Sequence, residues 1–239
     1  MIKNSKIAIL GAMECEVEEI KNYLTDLKEQ VYADLKIFTG NIGNKFIILA
    51  QTGIGKVNAA LNCQYIIDTL NPDTIINIGV AGGIANNLEI GDIVIGNSLV
   101  QHDFDVSVLG YAKGYMCTGI DKDKPTKYFG DKNITDKFKT AFSNLIGQNK
   151  IYEGIIASGD QFVSDKKLKE EINKTFNALA VEMEGAAIAQ VATKNKIPFA
   201  VIRVISDLAD GKTEEYKNVF EKKTSEILAK AIKQVLTNI

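Results

Sequence analysis

The sequence predicts an α/β fold, a three-layer α/β/α sandwich around a mixed central β-sheet. Three observations predict it. Short apolar runs alternate with amphipathic segments along the whole chain, one pair of runs is joined by a turn-rich stretch suited to a hairpin, and no Pro/Ser-rich linker, low-complexity segment or repeat interrupts the alternation. With 239 residues, 46% hydrophobic and 24% charged, the chain can bury roughly 70% of its unfolded surface, which excludes disorder, collagen and coiled coil. One domain, 1–239, is expected.

Residues 6–10 read as a strand closed by Gly11, and 14–24 as a helix with Val17, Ile20, Tyr23 and Leu24 at helical spacing. Residues 35–39 and 45–52 are strands separated by the turn residues of 40–44, so part of the sheet is antiparallel. Gly53-Ile54-Gly55 opens a helix over 56–70, which Asn71-Pro72 ends. Residues 74–79 and 92–96 are strands, and the loop between them carries Gly82 and Gly83, where backbone can approach a ligand closely. The stretch 99–133 has no periodicity, and a long irregular segment in a compact fold is more often functional or interfacial than idle. Then follow a helix over 134–145, a strand over 151–158, a charged helix over 166–175, a short strand over 179–181, an Ala-rich helix over 185–195, an apolar strand over 199–205 and a last helix over 224–236.

Composition narrows the function. With 28 basic and 30 acidic residues the net charge is −2, which gives no footprint for nucleic acid. Three cysteines, odd in number and widely spaced, give no disulfide framework and fit a reducing cytoplasm. They read as small buried hydrophobes. The one histidine, His102, leaves a metal site almost without ligands, so no metal is expected. The apolar run 7–13 leads straight into acidic residues, unlike a signal peptide, and nothing approaches eighteen consecutive apolar residues; the chain should be neither exported nor membrane-spanning.

In a sheet of this kind ligands sit outside the carboxyl ends of the strands. Three strand ends carry candidates: Glu14 and Glu16 after the first strand, Glu182 and Glu184 after the strand 179–181, and Arg203, Ser206 and Asp207 in and after the strand 199–205. Acids in a first helical turn also favour the helix dipole without any other role. Residues two apart point to different sides, so at most one of Glu182 and Glu184 enters the crevice and the other is scaffold. Arg203 interrupts a strand covered on both faces, and a buried guanidinium requires a carboxylate or anionic ligand. Gly53-Ile54-Gly55-Lys56 is neither a P-loop nor a dinucleotide fingerprint, because Ala50 and Asn58 stand where glycines are needed. His102-Asp103 looks like a dyad, but adjacent residues seldom orient each other, and a structural role is favoured.

Six segments in this order and spacing are similar to one family. They are Gly11-Ala12-Met13-Glu14-Cys15-Glu16-Val17, Thr52-Gly53-Ile54-Gly55-Lys56-Val57, Ile76-Asn77-Ile78-Gly79-Val80-Ala81-Gly82-Gly83, Ser158-Gly159-Asp160-Gln161-Phe162, Val181-Glu182-Met183-Glu184-Gly185 and Arg203-Val204-Ile205-Ser206-Asp207. The chain resembles the 5′-methylthioadenosine/S-adenosylhomocysteine nucleosidases of the purine nucleoside phosphorylase and hydrolase superfamily. The resemblance implies a nucleoside phosphorylase-like fold, a homodimer, and metal-free, cofactor-free hydrolysis of the N-glycosidic bond of methylthioadenosine, S-adenosylhomocysteine and 5′-deoxyadenosine. It further implies Asp207 as the acid at adenine N7, Glu16 as the group that activates water, Glu184 as the carboxylate on the ribose hydroxyls and Arg203 as the orienter of the water-binding carboxylates. Phe162 would stack on the purine, the Val163 backbone would read its edge, and Met183 would lie against the sugar. Ala12, Met13, Ile54, Val80 and Ser206 complete the implied binding set, with Val106, Leu109 and Tyr111 reaching across a dimer interface into the neighbour's alkylthio pocket. Val80 stands where many relatives carry Ser, and Cys117 where some carry proline. The rival readings are a nucleoside phosphorylase, which Glu16 disfavours by repelling phosphate, and a non-catalytic adenosine-analogue sensor.

Overall fold

The computed structural model describes residues 5–118, 120–211 and 217–237. Ten strands form one mixed sheet: β1 (Lys6–Gly11), β2 (Thr25–Tyr32), β3 (Leu35–Ile42), β4 (Lys45–Gln51), β5 (Thr74–Gly83), β6 (Ile93–Gln101), β7 (Tyr128–Phe129), β8 (Ile151–Ser158), β9 (Ala178–Glu182) and β10 (Phe199–Asp207). The helices are α1 (Glu14–Lys21), α2 (Lys56–Leu70), α3 (Lys132–Ile146), α4 (Lys166–Phe176), α5 (Gly185–Asn195) and α6 (Lys217–Thr237).

The sheet runs β2-β3-β4-β1-β5 and then closes on itself, because β5 pairs with both β10 and β9 while β6 and β8 bridge those two. Pairing is parallel for β4-β1-β5-β10 and for β6-β8-β9, and antiparallel for β2-β3-β4, β6-β10 and β5-β9. The β-rich, doubly apolar runs in β1, β5 and β10 are those of strands buried on both faces. Besides a smaller cluster that packs Ile172 and Phe176 of α4 against Ile155 of β8 and Ala178 of β9, two apolar cores lie on opposite sides of the sheet. One packs Ala59, Cys63 and Ile66 of α2 and the alanines of α5 against strand residues such as Leu10 and Val201; the other packs α1, α3 and α6 through Val17, Ile20, Phe138, Phe142 and Ile232 against Ile9, Ile78 and Val204. Three layers, α/β/α, result.

The structure corrects the boundaries in places. The first helix stops at Lys21, and β2, which the sequence does not suggest, follows it. All eight of its residues are exposed, so they show no alternation; pairing with β3 and the stacking of Tyr32 on Tyr65 of α2 (ring centroids 3.9 Å apart) hold it instead. β5 continues through Val80–Gly83, expected as loop, and pairs there with β9 and β10. Two-residue β7 and a 3₁₀ turn at Ser107–Leu109 lie within the stretch expected to be irregular. Of the three cysteines expected to be buried only Cys63 is; Cys15 is half-buried and Cys117 is exposed, at φ +52°. No helix among the described residues is long and apolar enough to cross a membrane.

Candidate active site

The carboxyl ends of β1, β9 and β10 and the outer half of β5 surround a cavity of about 260 Å³. Ala12, Met13, Glu16, Ile54, Val80, Phe162, Val163, Met183, Glu184, Ser206 and Asp207 all line it, so Glu16, near one end of the chain, and Asp207, near the other, open into the same space. Arg203 lies behind this wall, fully buried. Val106, Leu109 and Tyr111 do not line it: Leu109 is exposed and Val106 and Tyr111 are half-buried on the segment after β6.

Glu16 is the third residue of α1, and its carboxylate reaches back over the open turn. Oε2 accepts from the amides of Ala12 (2.6 Å) and Met13 (2.9 Å), and Oε1 from that of Val80 (3.1 Å). Gly79 makes this approach possible, since a Cβ there would stand 2.5 Å from Glu16 Oε1. Burial holds the Glu16 carboxyl above its ordinary range, against the opposing pull of the three amides and of the Arg203 guanidinium.

β9 delivers Glu182 and the turn into α5 delivers Glu184. Glu182 binds the Arg203 guanidinium and the Ser158 hydroxyl at short range, and its Oε2 accepts from the amides of Glu184 (3.0 Å) and Gly185 (2.7 Å), capping α5. Ser158 Oγ in turn accepts from the Ala186 amide (2.7 Å). Burial alone would raise Glu182, but Arg203, Ser158 and the Gly185 amide outweigh it and keep the carboxylate below its usual range. The Glu184 carboxyl accepts only the Gly55 amide (2.9 Å) among the described residues, and burial together with the charge on Glu182 pushes it up to about 8. Arg203 Nη2 also donates to Asn77 Oδ1 (2.6 Å), while its buried Nε donates to nothing among the described residues.

Asp207 ends β10, its carboxylate fixed by the Ser206 hydroxyl (2.9 Å) and the Ala209 amide (2.8 Å). Phe162 stands at the mouth, 59% exposed, and Val163 is buried beneath it. Gly82 lines the cavity as its loop position suggested, and Glu182 borders it as well as Glu184, where only one of the two was expected; Gln161, Ala81 and Val181 also line it and carry no individual signal in the sequence. The motif runs containing them were the available signal; which neighbour in each run faces inward depends on the turn after β8 and on the bulge where Asp207 pairs with Gly82. No group of three or more His, Cys, Asp or Glu side chains among the described residues is placed to hold a metal ion.

A buried, mostly apolar cavity ringed by four carboxyl groups and backed by one arginine at the strand ends of a mixed sheet is suited to a neutral, polyfunctional small molecule. Its sequence agrees with its geometry: the chain belongs to the phosphorylase superfamily, whose family model matches residues 6–239. Within that superfamily it falls among the 5′-methylthioadenosine/S-adenosylhomocysteine nucleosidases. It is 35% identical to the enzyme of that name from Staphylococcus aureus (strain JH9) over 98% of this chain and 100% of the relative. The structure of the Neisseria meningitidis nucleosidase in complex with methylthio-immucillin-A superposes with a TM-score of 0.91 at 35% identity, covering 98% of this chain and 100% of that one. The futalosine hydrolase of Helicobacter pylori superposes with a TM-score of 0.89 at 33% identity, covering 99% of each chain.

Proposed function

We propose that this protein hydrolyses the N-glycosidic bond of 5′-methylthioadenosine and S-adenosylhomocysteine, releasing adenine and the thioribose. The single observation that carries the reading is that Glu16 and Asp207 line one cavity together with Glu184. Cleavage of the C1′–N9 bond leaves positive charge on the sugar and negative charge on the purine, so it requires an acid at the base, a base for water and an anion near the sugar. Asp207, held by Ser206 and Ala209, delivers a proton to or shares one with adenine N7. Glu16 takes the proton of the attacking water; the burial that raises its pKa also makes it the stronger base. Arg203 orients the carboxylate wall through Glu182. Glu184 binds the ribose hydroxyls and, ionised, stabilises the oxocarbenium-like sugar. Phe162 stacks on the purine, the Val163 backbone reads its edge, Ser206 steadies Asp207, and Ala12, Met13, Ile54, Val80 and Met183 enclose the sugar and the thioalkyl group.

The sheet spans β1 to β10 without a break, which supports one catalytic domain over 1–239. The functional unit is a homodimer whose Val106, Leu109 and Tyr111 complete the partner's alkylthio pocket; the exposure of Leu109 (68%) and of Val57 (76%) and Leu61 (65%) on α2 supports this apolar contact. The enzyme works in the cytoplasm, in methionine salvage, a placement supported by its odd cysteine count. The test is incubation with methylthioadenosine with and without phosphate. Free adenine in both is expected; phosphate dependence identifies a phosphorylase, and binding without adenine identifies a sensor. The likeness to a futalosine hydrolase makes aminodeoxyfutalosine, with 5′-deoxyadenosine, the next substrates to compare.

A further inference from the structure

Just outside the cavity three residues close a ring. The Lys56 amide donates to Asp160 Oδ1 (2.7 Å), the Asp160 amide donates to Asp103 Oδ2 (2.8 Å), and Lys56 Nζ donates to Asp103 Oδ1 (2.6 Å). Lys56 Nζ also donates to Gln101 Oε1 (3.1 Å) and lies 3.9 Å from Asp160 Oδ2. None of the three lines the cavity, yet Lys56 and Asp160 each adjoin a segment that does. Lys56 follows Ile54 and Gly55, Asp160 precedes Gln161–Val163, and Asp103 opens the segment carrying Val106, Leu109 and Tyr111.

An isolated half-exposed ion pair would matter little. This ring differs because two of its three sides are backbone amides, so it ties chain segments together and not merely side-chain tips. It also completes a helix end. Gly55, the cap of α2, has no side chain to satisfy the first amides of that helix; Glu184 takes the Gly55 amide from one wall and Asp160 takes the next one from another. Burial works against the Asp103 charge, but the Lys56 ammonium and the Asp160 amide outweigh it and hold that carboxyl below its ordinary range.

We propose that Lys56, Asp103 and Asp160 are positioning residues, a clamp that sets the spacing between the sugar-facing Ile54–Gly55 turn and the base-facing segment 161–163. The inference rests on the nucleosidase reading for what the two segments face. A clamp of this kind governs capture of the nucleoside more than the bond-breaking step, because Glu16 and Asp207 are held by partners of their own.

The experiment compares wild type with Lys56→Met, Asp160→Ala and Asp160→Asn, reading KM and kcat for methylthioadenosine, inhibition by free adenine, and melting temperature. Lys56→Met and Asp160→Ala should each raise KM and weaken adenine inhibition by about tenfold while kcat stays within about threefold. Asp160→Asn, which retains an oxygen for the Lys56 amide, should recover most of the loss seen in Asp160→Ala. Unchanged KM in both disruptive variants, a fall confined to kcat, equal losses in Asp160→Asn and Asp160→Ala, or loss of folded protein would each overturn the clamp. No adenine from wild type defeats the nucleosidase reading instead, whereas adenine from wild type with unaltered variants defeats the clamp alone.

Discussion

Two acidic doublets with the same spacing supply carboxyl groups to the cavity, Glu14-Cys15-Glu16 and Glu182-Met183-Glu184, and they divide their labour differently. In the first the division is by exposure. α1 continues through the doublet, so helical rotation sends Glu14 to solvent, its side chain 70% exposed and 3.8 Å from Lys36, while Glu16 turns inward. In the second both carboxyls are buried, because the chain changes from β9 to α5 between them, and the division is by charge. Glu182 meets a guanidinium, a hydroxyl and two amides and stays ionised; Glu184 meets one amide and is pushed up to about 8. Spacing decides which acid is buried only where one element runs through the pair. At a strand-to-helix junction the partners decide, and here the deciding partner is Arg203.

The largest effects belong to the inward acid of the first doublet and its counterpart on β10. Glu16→Gln and Asp207→Asn should each slow adenine release at least about a hundredfold with melting temperature changed by only a few degrees, as expected of positioned acid/base groups. A near-normal rate in either variant means that its role is misassigned.

Next comes the partner that separates Glu182 from Glu184. Arg203→Met leaves Glu182 buried without its countercharge, which costs about 3–5 kcal/mol, or a fall of about 10 °C in melting temperature for a chain of this size. Adding Glu182→Gln should restore part of that loss, since the stranded charge is then gone. Thermal unfolding of the two variants decides it: a double variant no more stable than the single one shows that Arg203 supports the fold by packing and not by pairing.

A milder effect tests the charge on Glu184. Its folded pKa, about 8, lies above the ordinary 4.5, so the native state holds a proton that the unfolded state has lost. The associated stability is full below about 4.5 and drains away as pH rises toward 8. The melting temperature of wild type, relative to Glu184→Gln, should therefore decline across that window. In catalysis the sign reverses, because the ionised form supports the sugar cation: kcat/KM of wild type should rise with pH toward 8, and the residual rate of Glu184→Gln should not follow it. A flat wild-type profile would remove Glu184 from the charge-stabilising role.

Much of this was legible in the sequence, for identifiable reasons. β1, α2, β5 and β10 were legible because doubly buried strands and an amphipathic helix leave continuous or periodic apolar patterns. Arg203 announced itself as a charge inside such a run, and a carboxylate partner followed from the cost of burying it. β2 was not legible, because a fully exposed edge strand leaves no alternation to read. Nor was the identity of the arginine's partner: Glu182 and Glu184 are equivalent as letters, and only the register of β9 beside β8, with Ser158 level with Glu182, presents one and not the other to Arg203. The ring of Lys56, Asp103 and Asp160 was invisible for the same reason, being made from residues as many as 104 positions apart.

The smallest expected effect is the control that gives the comparison its meaning. Glu14 has the same side chain as Glu16, two positions away on the same helix, and both lie near the positive end of that helix dipole. If the first doublet mattered through the dipole or through the general negative charge of the region, the two glutamines would behave alike. If it matters through one carboxylate held by three amides inside the cavity, Glu14→Gln removes only an exposed charge near Lys36. The rate of adenine release should then stay within about twofold of wild type and the melting temperature within about a degree or two, the range typical of exposed substitutions. Steady-state rates and thermal melts of Glu14→Gln beside Glu16→Gln check this directly, and a parallel loss in both would break the distinction between the outward and the inward acid.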